Sequence, residues 1–584
     1  MKLLPRPCAA HPHPSTRLAR RWLIPASVVA TLLLAACAST PLPPWPSQSA
    51  RVVPPPHSRS QAAQPDRPTD EASTSPVVTP ITGPEDQPGA ATLIESAAVA
   101  AHFPDPPVRY DTPGLQTQRR AWTTNAELSQ WLDELASTPA DRTSARRIDL
   151  GPSQNGTPLL ALALNGTIGD KPLLSNGRPT VLLVGQQHGD EPGSSEALLV
   201  MARELSQGLL APMLQRINVV IVPRANPDGA STGSHATSDG TDLDHDHLAL
   251  RTPEARAIAQ LIRTYRPAVI ADVREYPAQA VNMAGARVLP SYDVLAQPAT
   301  AANIPEFVSK AAAEWFMQPL FKSLEDSGLT HEWLHTLTAD QGTLAAQTGG
   351  AQPDSLRNLG GLSNTVSLAI ASRGTGLGRA HIQRRVHSLV VALTSVLRST
   401  ADRSGDLRQV QTYVTRDIAS KACQGLLTVQ ASPTASEHDL GLIDETNGEL
   451  KRLKVQWTST ATLRPELQRP RPCGYWLSAD SAAAQHLAWL GLQVMRIAED
   501  GSVLTESFPG GPSGVGSAAQ AVRTTTDVPA GSYFVGMNQP LANVAAAALE
   551  PGTPFSYQST GILGEPGASA RVINNPTLVF DESE

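Results

Sequence analysis

A histidine and a glutamate three residues apart, His188 and Glu191, stand just beyond a short apolar run, Val181-Leu-Leu-Val184. Imidazole and carboxylate are both good zinc ligands, and the turn beyond a strand's C-terminal end is where open α/β sheets place their sites. A zinc hydrolase needs more than this pair. It needs a third ligand with a position left open for water, a carboxylate to move the water's proton, and groups that hold the substrate. Whether the remaining residues supply those parts separates an enzyme from a fold that has lost one.

The elements that must position such a site follow from hydrophobic spacing. Residues 181–184 read as a buried strand, and 196–205 as a helix whose apolar face carries Leu198, Leu199, Ala202 and Leu205. A second apolar strand, 217–222, runs into the turn Pro223-Arg-Ala-Asn226-Pro-Asp-Gly229, and Pro253 and Glu254 open a helix through Ile262. Residues 268–273 give a third buried strand; 304–324 and 382–397 are helical around a strand at 365–370. Upstream, Leu128, Trp131, Leu132 and Leu135 recur at helical spacing behind Asn125 as N-cap, and 147–150 and 159–164 read as strands. This alternation predicts an α/β fold, a mixed sheet flanked by helices on both faces. After residue 405 the apolar stretches shorten. Strands at 426–429, 454–457 and 531–535 with a helix at 481–492 predict a small C-terminal α+β domain.

The chain has 584 residues, enough for two folded units with tails, and a formal net charge of -7, which gives no footprint for nucleic acid. Arg17, Arg20 and Arg21 precede an apolar run from Trp22 to Ala36, the pattern of an export signal over residues 1–36. It ends Leu34-Ala35-Ala36-Cys37, which resembles a bacterial lipobox. That resemblance implies cleavage before Cys37, lipidation of its thiol and a membrane anchor there; Ala38 points to the outer membrane, facing the periplasm. Residues 37–118 are rich in Pro, Ser, Thr and Ala, and read as a disordered tether. The folded part is then divided as 119–404 and 405–584. With Cys8 removed and Cys37 lipidated, Cys423 and Cys473 are left, and an oxidising compartment predicts a disulfide between them.

From about residue 118 to 400 the chain resembles the zinc carboxypeptidases, the carboxypeptidase A-like metallopeptidases. The anchors, in order, are Gln187-His-Gly-Asp-Glu191, Asn226-Pro-Asp-Gly229, Asp242-Leu-Asp244-His245-Asp246-His247, Asp272-Val-Arg274-Glu275-Tyr276, and Leu362-Ser-Asn-Thr-Val-Ser through Ser372-Arg-Gly374. Arg379-Ala-His381-Ile-Gln-Arg-Arg-Val386 and the C-terminal part resemble a bacterial subgroup. The resemblance implies zinc as cofactor, His188 and Glu191 as two of its ligands, and a peptide, such as a cell-wall stem peptide, as ligand.

Against that pattern the chain departs at each remaining part. The third ligand falls at Arg274, whose guanidinium stays charged and has no lone pair for a metal. The general base falls at Ala371. The Asn-Arg pair that grips a substrate carboxylate aligns with Asp244-His245, and a further family arginine falls at His235. A guanidinium about 4 Å from zinc would be repelled by several kcal/mol at moderate dielectric, so Arg274 and zinc exclude one another. Pairing of Arg274 with Glu191 would replace the metal's charge. The leading reading is therefore a degenerate member that binds peptides or acts as a scaffold.

Three other readings stay open. An active metallopeptidase with a rearranged site would draw its third ligand from Asp244, His245, His247 or Asp272. Strand alternation would put His245 and His247, but not Asp246, on one face. A hydrolase using Ser372 lacks the Gly-x-Ser-x-Gly elbow. A purely structural envelope protein would bind nothing.

Overall fold

The computed structural model describes residues 93–138, 143–166, 176–283, 285–340, 343–508, 521–564 and 567–581. The export signal, Cys37 and the tether as far as residue 92 lie outside these.

Along the chain the strands are β1 (Thr143–Pro152), β2 (Pro158–Gly166), β3 (Thr180–Gly185), β4 (Asn218–Val222), β5 (Val269–Pro277), β6 (Val281–Met283) and β7 (Ala286–Pro290). They continue as β8 (Val294–Pro298), β9 (His331–Trp333), β10 (His335–Asp340), β11 (Thr343–Thr348), β12 (Val366–Thr375), β13 (Leu426–Asp444) and β14 (Leu450–Pro470). Last come β15 (Gly474–Leu477), β16 (Met495–Arg496), β17 (Gly501–Ser507), β18 (Val522–Val528), β19 (Tyr533–Gly536) and β20 (Ser569–Val572).

Eight strands form a mixed sheet in the order β1-β2-β4-β3-β5-β12-β8-β9. Its centre is parallel: β3 pairs with β4 and β5, and β5 with β12. These strands are apolar at successive positions because both faces are covered. Val181 and Leu183 join a core with Leu198, Phe316 and Leu393 from helices on one face, while Leu182 and Val184 pack with Ile258 and Leu261 on the other. The fold is α/β with helices on both faces.

Two local expectations change. Asn125 is the first residue of the helix Asn125–Ser137; the cap is Thr124, which shares a reciprocal capping box with Glu127. The turn after β4 continues into a short helix, Pro227–Thr232, capped by the Asn226 side chain.

A larger difference concerns residues 93–118, expected in the tether but packed on the domain. Val99 and Phe103 are buried against Leu289 and Ile443. The Glu95 side chain is 7% exposed, paired to Arg373, and lies 3.0 Å from His381 Nε2. His102 Nε2 meets the Gly448 carbonyl at 2.6 Å, and Arg384 Nη1 donates to the Pro104 carbonyl at 3.0 Å. The proline-rich composition hid this because the anchoring residues have no periodicity. Burial alone would raise the Glu95 pKa, but hydrogen bonds from His381 and Arg373 hold it down to about 2. A carboxylate depressed on folding stabilises fully above its unfolded value near 4.5 and loses that contribution as pH falls through about 2. We expect Glu95→Gln to flatten the acid limb of a stability-versus-pH curve in that window, read by chemical denaturation. An unchanged limb would show that the Glu95 pairs do not form in solution.

The 404/405 boundary is crossed by packing. β13 and β14 pair with each other and belong to a six-stranded sheet, β10-β11-β14-β13-β7-β6, whose other strands precede residue 405. One apolar cluster joins Leu248, Val308 and Leu362 to Val414, Ile418, Tyr475 and Tyr557. The last sheet, β16-β19-β15-β20-β17-β18, contains only C-terminal strands. Cys423 and Cys473 are joined by a disulfide that pins the helix Ser404–Ser420 to the entry of β15.

Candidate functional site

The parallel strands β3 and β5 both end at one cluster of buried polar side chains. Beyond Gly185 the chain adopts a left-handed conformation at Gln186, with φ +49°. That turn is held by the Gln186 side chain, which donates to the Gly189 carbonyl at 3.0 Å and accepts from Arg224 Nε at 2.7 Å. Gly189 is glycine for want of room: a Cβ there would lie 2.0 Å from the Gly229 carbonyl carbon. His188 and Glu191 follow. Glu191 is the residue before the helix Pro192–Ser206 and makes no capping bond with its side chain, which is thereby free for the cleft.

His188 is buried between carboxylates. Its Nδ1 lies 2.8 Å from Glu191 Oε1 and its Nε2 lies 2.9 Å from Asp242 Oδ1. Burial opposes a charge on the ring, but the Glu191 and Asp242 carboxylates outweigh it and lift its pKa to about 10. Asp242 is correspondingly held at about 2, burial being overcome by the His188 hydrogen bond. Spacing alone does not mark Asp242 as the partner: it stands 54 residues after His188.

Arg274 does not pair with Glu191 as expected. Its Nη1 donates to Asp244 Oδ2 at 2.7 Å and lies 3.7 Å from Asp272 Oδ2, while Nη2 is 3.1 Å from His188 Nδ1. Asp244, at the position expected to clamp a carboxylate, is thus consumed by the guanidinium. Burial would raise its pKa, but Arg274 keeps it well below the usual carboxylate range. Asp272 is pushed the other way by burial and accepts from Gln187 Nε2 at 2.7 Å.

Ala371 lies directly across the β5/β12 ladder from Arg274, so the positions expected for the third ligand and the base are neighbours. It is buried in an apolar cluster with Tyr276, Tyr292 and Leu295. Glu275, next to Arg274, accepts from the Gly193 amide at 2.8 Å and from Arg385 Nη2 at 2.6 Å, tying β5 to the helix that starts behind Glu191.

The segment 242–247 is not extended. Leu243–His245 is a 3-10 turn with a period near three, which sends His245 and His247 in different directions. His245 is half exposed and faces Asp354 Oδ1 at 3.2 Å, an interaction that lifts its pKa to about 9 despite burial. His247 is buried 2.5 Å from Gln187 Oε1, and its pKa is lowered by burial. Neither reaches His188 as a third ligand. Ser372 is fully buried and its hydroxyl has no hydrogen-bond partner among the described residues, so none of them acts as a base on it.

Two donor sets can be tested against zinc, which takes ligands at about 2 Å in tetrahedral directions. Beside Glu191, the His188 Nδ1 side is filled by Arg274 and offers no third donor. That set does not fit. The second is His188, His235 and Asp242, whose donor atoms all lie within 4.8 Å of one another. Here His235 stacks on His188 with ring centroids 3.6 Å apart and planes 17° from parallel. Lone pairs in stacked rings run side by side and do not converge. As arranged, that set does not fit either, and His235 Nδ1 faces Asp190 at 3.0 Å.

Residues 128–257 match the family described as zinc carboxypeptidase. Carboxypeptidase 2 of Trichophyton rubrum is 26% identical over 423 residues, which cover 70% of this chain and 78% of that protein. Carboxypeptidase SOL1 of Arabidopsis thaliana is 30% identical over 170 residues, 26% of this chain and 33% of that protein. Among solved structures, a metallo-carboxypeptidase from Pseudomonas aeruginosa aligns with a TM-score of 0.36 at 16% identity, over 48% of this chain and 69% of that one.

Proposed function

We propose, for a chain that belongs to the zinc carboxypeptidase family, that its cleft binds peptides without hydrolysing them and without zinc. The observation that carries this is the Arg274 guanidinium, which fills the place of the third ligand and is locked there by Asp244 at 2.7 Å. Ala371 beside it supports the same reading, since a methyl group moves no proton. The lipobox-like Cys37 supports a place in the cell envelope, held at a membrane by a lipid anchor.

The His188, His235 and Asp242 set motivates one competing reading, an active metallopeptidase with zinc displaced to the Nε2 side of His188. It requires the exposed His235 ring to swing off its partner. Metal analysis and peptide hydrolysis on the purified chain decide between them. We expect substoichiometric zinc and no chelator-sensitive release of C-terminal residues. Near-stoichiometric zinc with turnover that a chelator abolishes would establish the competing reading.

A further inference from the structure

The turn that carries His188 and Glu191 is held from behind by two buried ions whose partners lie far upstream. Glu196, on the helix Pro192–Ser206, is fully buried. Among the described residues its carboxylate accepts from the Thr112 hydroxyl, the Thr123 amide at 3.1 Å and the Thr123 hydroxyl at 3.0 Å. Arg224 is also buried; its Nε donates to Gln186 Oε1 and its Nη2 to the Thr123 carbonyl, both at 2.7 Å. Gly114 closes over the same place, where a Cβ would lie 2.0 Å from Glu196 Oε1. Buried charges are costly once a partner leaves, so lifting residues 112–123 would strand an ion at each end of 186–196.

Residues 93–115 form an arm whose outer half grips the neighbouring strand end. Arg373, two residues beyond Ala371 on β12, pairs with Glu95, and its Cζ lies 4.2 Å from the Phe103 ring centroid. The backbone of the next residue, Gly374, approaches Glu275 so closely that a Cβ would lie 1.9 Å from Oε1. Glu275 in turn accepts from the Gly193 amide, on the same helix as Glu196. Midway along the arm, Gln383 holds the Tyr110 backbone by its amide and its carbonyl, at 2.8 and 3.1 Å. The link onward to Thr124 is exposed at 116–118, 120 and 121, and Gln118 there is left-handed, with φ +68°. Arm and turn are thus fastened at two places, with an exposed hinge beyond.

We infer that residues 93–115 are a latch on the site: the arm and the segment 186–196 open together as one unit, before the rest of the domain. Local opening proceeds in cooperative units, and a segment whose buried ions are completed by another does not open alone at low cost. The coupling is reciprocal. Load on the chain upstream of residue 93 loosens the turn, and a ligand that tightens the turn seats the arm. This holds whether or not the site binds peptides.

The test is hydrogen exchange of the full chain, read by mass spectrometry at rising sub-denaturing urea. In the wild type we expect the amides of 93–115 and 186–196 to converge on one opening reaction, while β15 and β19 stay protected to higher urea. In the double variant Glu95→Gln, Phe103→Ala, changed only at the outer end of the arm, exchange in 186–196 should rise by about tenfold or more, with β15 and β19 unchanged. If that variant does not fold, Tyr110→Phe, which removes one hydrogen bond to His387 Nδ1 at 2.7 Å, is read in the same way, with a rise of about threefold. Faster exchange confined to 93–115 overturns the inference, since the arm then lifts without disturbing the turn. A uniform rise that includes β15 and β19 overturns it too, the arm then contributing only to global stability. An unchanged pattern also overturns it, because these residues then do not hold the arm.

Discussion

Replacing Arg274 with alanine is expected to lower the unfolding free energy by about 3 kcal/mol, the scale of breaking a buried ion pair and leaving one charge without a partner. The Asp244 side chain is only 7% exposed and its retained oxygens would face a cavity instead of a guanidinium. Asp272 and Glu191 close in on the same space, so carboxylate repulsion adds to the loss. Adding Asp244→Asn should recover most of it, because an amide removes the uncompensated charge. Denaturant unfolding of the two single variants and the double variant forms a cycle, and a coupling of about 2 kcal/mol is expected for groups in direct contact. Additive losses would mean that the pair is screened by solvent in the cleft, in spite of its burial. The same coupling governs any attempt to build a zinc site around His188 and Glu191. Arg274→His alone supplies an imidazole but strands Asp244 beside the new metal site, whereas Arg274→His with Asp244→Asn removes both obstacles together. The arginine and the aspartate thus act as one unit, each the other's counter-charge.

That relation was half legible in the chain. The buried parallel strands announce themselves, since 181–184 and 268–273 are continuous apolar runs with β-branched residues, and the helices between them carry apolar faces at regular spacing. Ordered anchors such as Gln187-His-Gly-Asp-Glu191 carry the family resemblance, and Arg274 and Ala371 are the residue types that depart from it. Partner choice was not readable. Arg274 takes Asp244 and leaves Glu191 Oε2 without a donor, a matter of side-chain placement that spacing does not encode. The histidines at 245 and 247 were read with a strand's period of two, and a 3-10 turn broke it. β13 and β14 were glimpsed as 426–429 and 454–457, yet each runs for about twenty residues. Their exposed stretches are polar on both faces and carry no alternation. Residues 93–118 failed differently. Their hold on the domain comes from contacts spread along the segment, such as Glu95 with Arg373, Phe103 with Leu289 and Ile443, and Tyr110 with Gln383, each made to residues far along the chain.

Far from the cleft, Arg571→Met is expected to cost about 3–5 kcal/mol, the range for removing one partner of a fully buried ion pair. Arg571 is 1% exposed and bridges two buried carboxylates, pairing with Glu506 and donating through Nε to Glu550 Oε2 at 3.1 Å. Its Nη2 also donates to the Pro470 carbonyl at 2.6 Å, so the guanidinium ties β20 to the end of β14. Without it the two carboxylates are unequal. Glu550 keeps Arg469 at 2.9 Å and the Tyr475 hydroxyl at 2.8 Å, whereas among the described residues Glu506 keeps only Arg523, whose side chain is 63% exposed. Most of the loss should therefore come from Glu506, and Glu506→Gln placed on the Arg571→Met background should restore more stability than Glu550→Gln. Arg523→Ala provides the contrast, since removing the exposed partner of a pair is worth about 0–1 kcal/mol. Chemical denaturation of these variants reads the ranking directly. If Glu550→Gln proved the better rescue, the carboxylate with the most remaining donors would be the one Arg571 neutralises, and the network would have to be held together by charge and not by the number of hydrogen bonds.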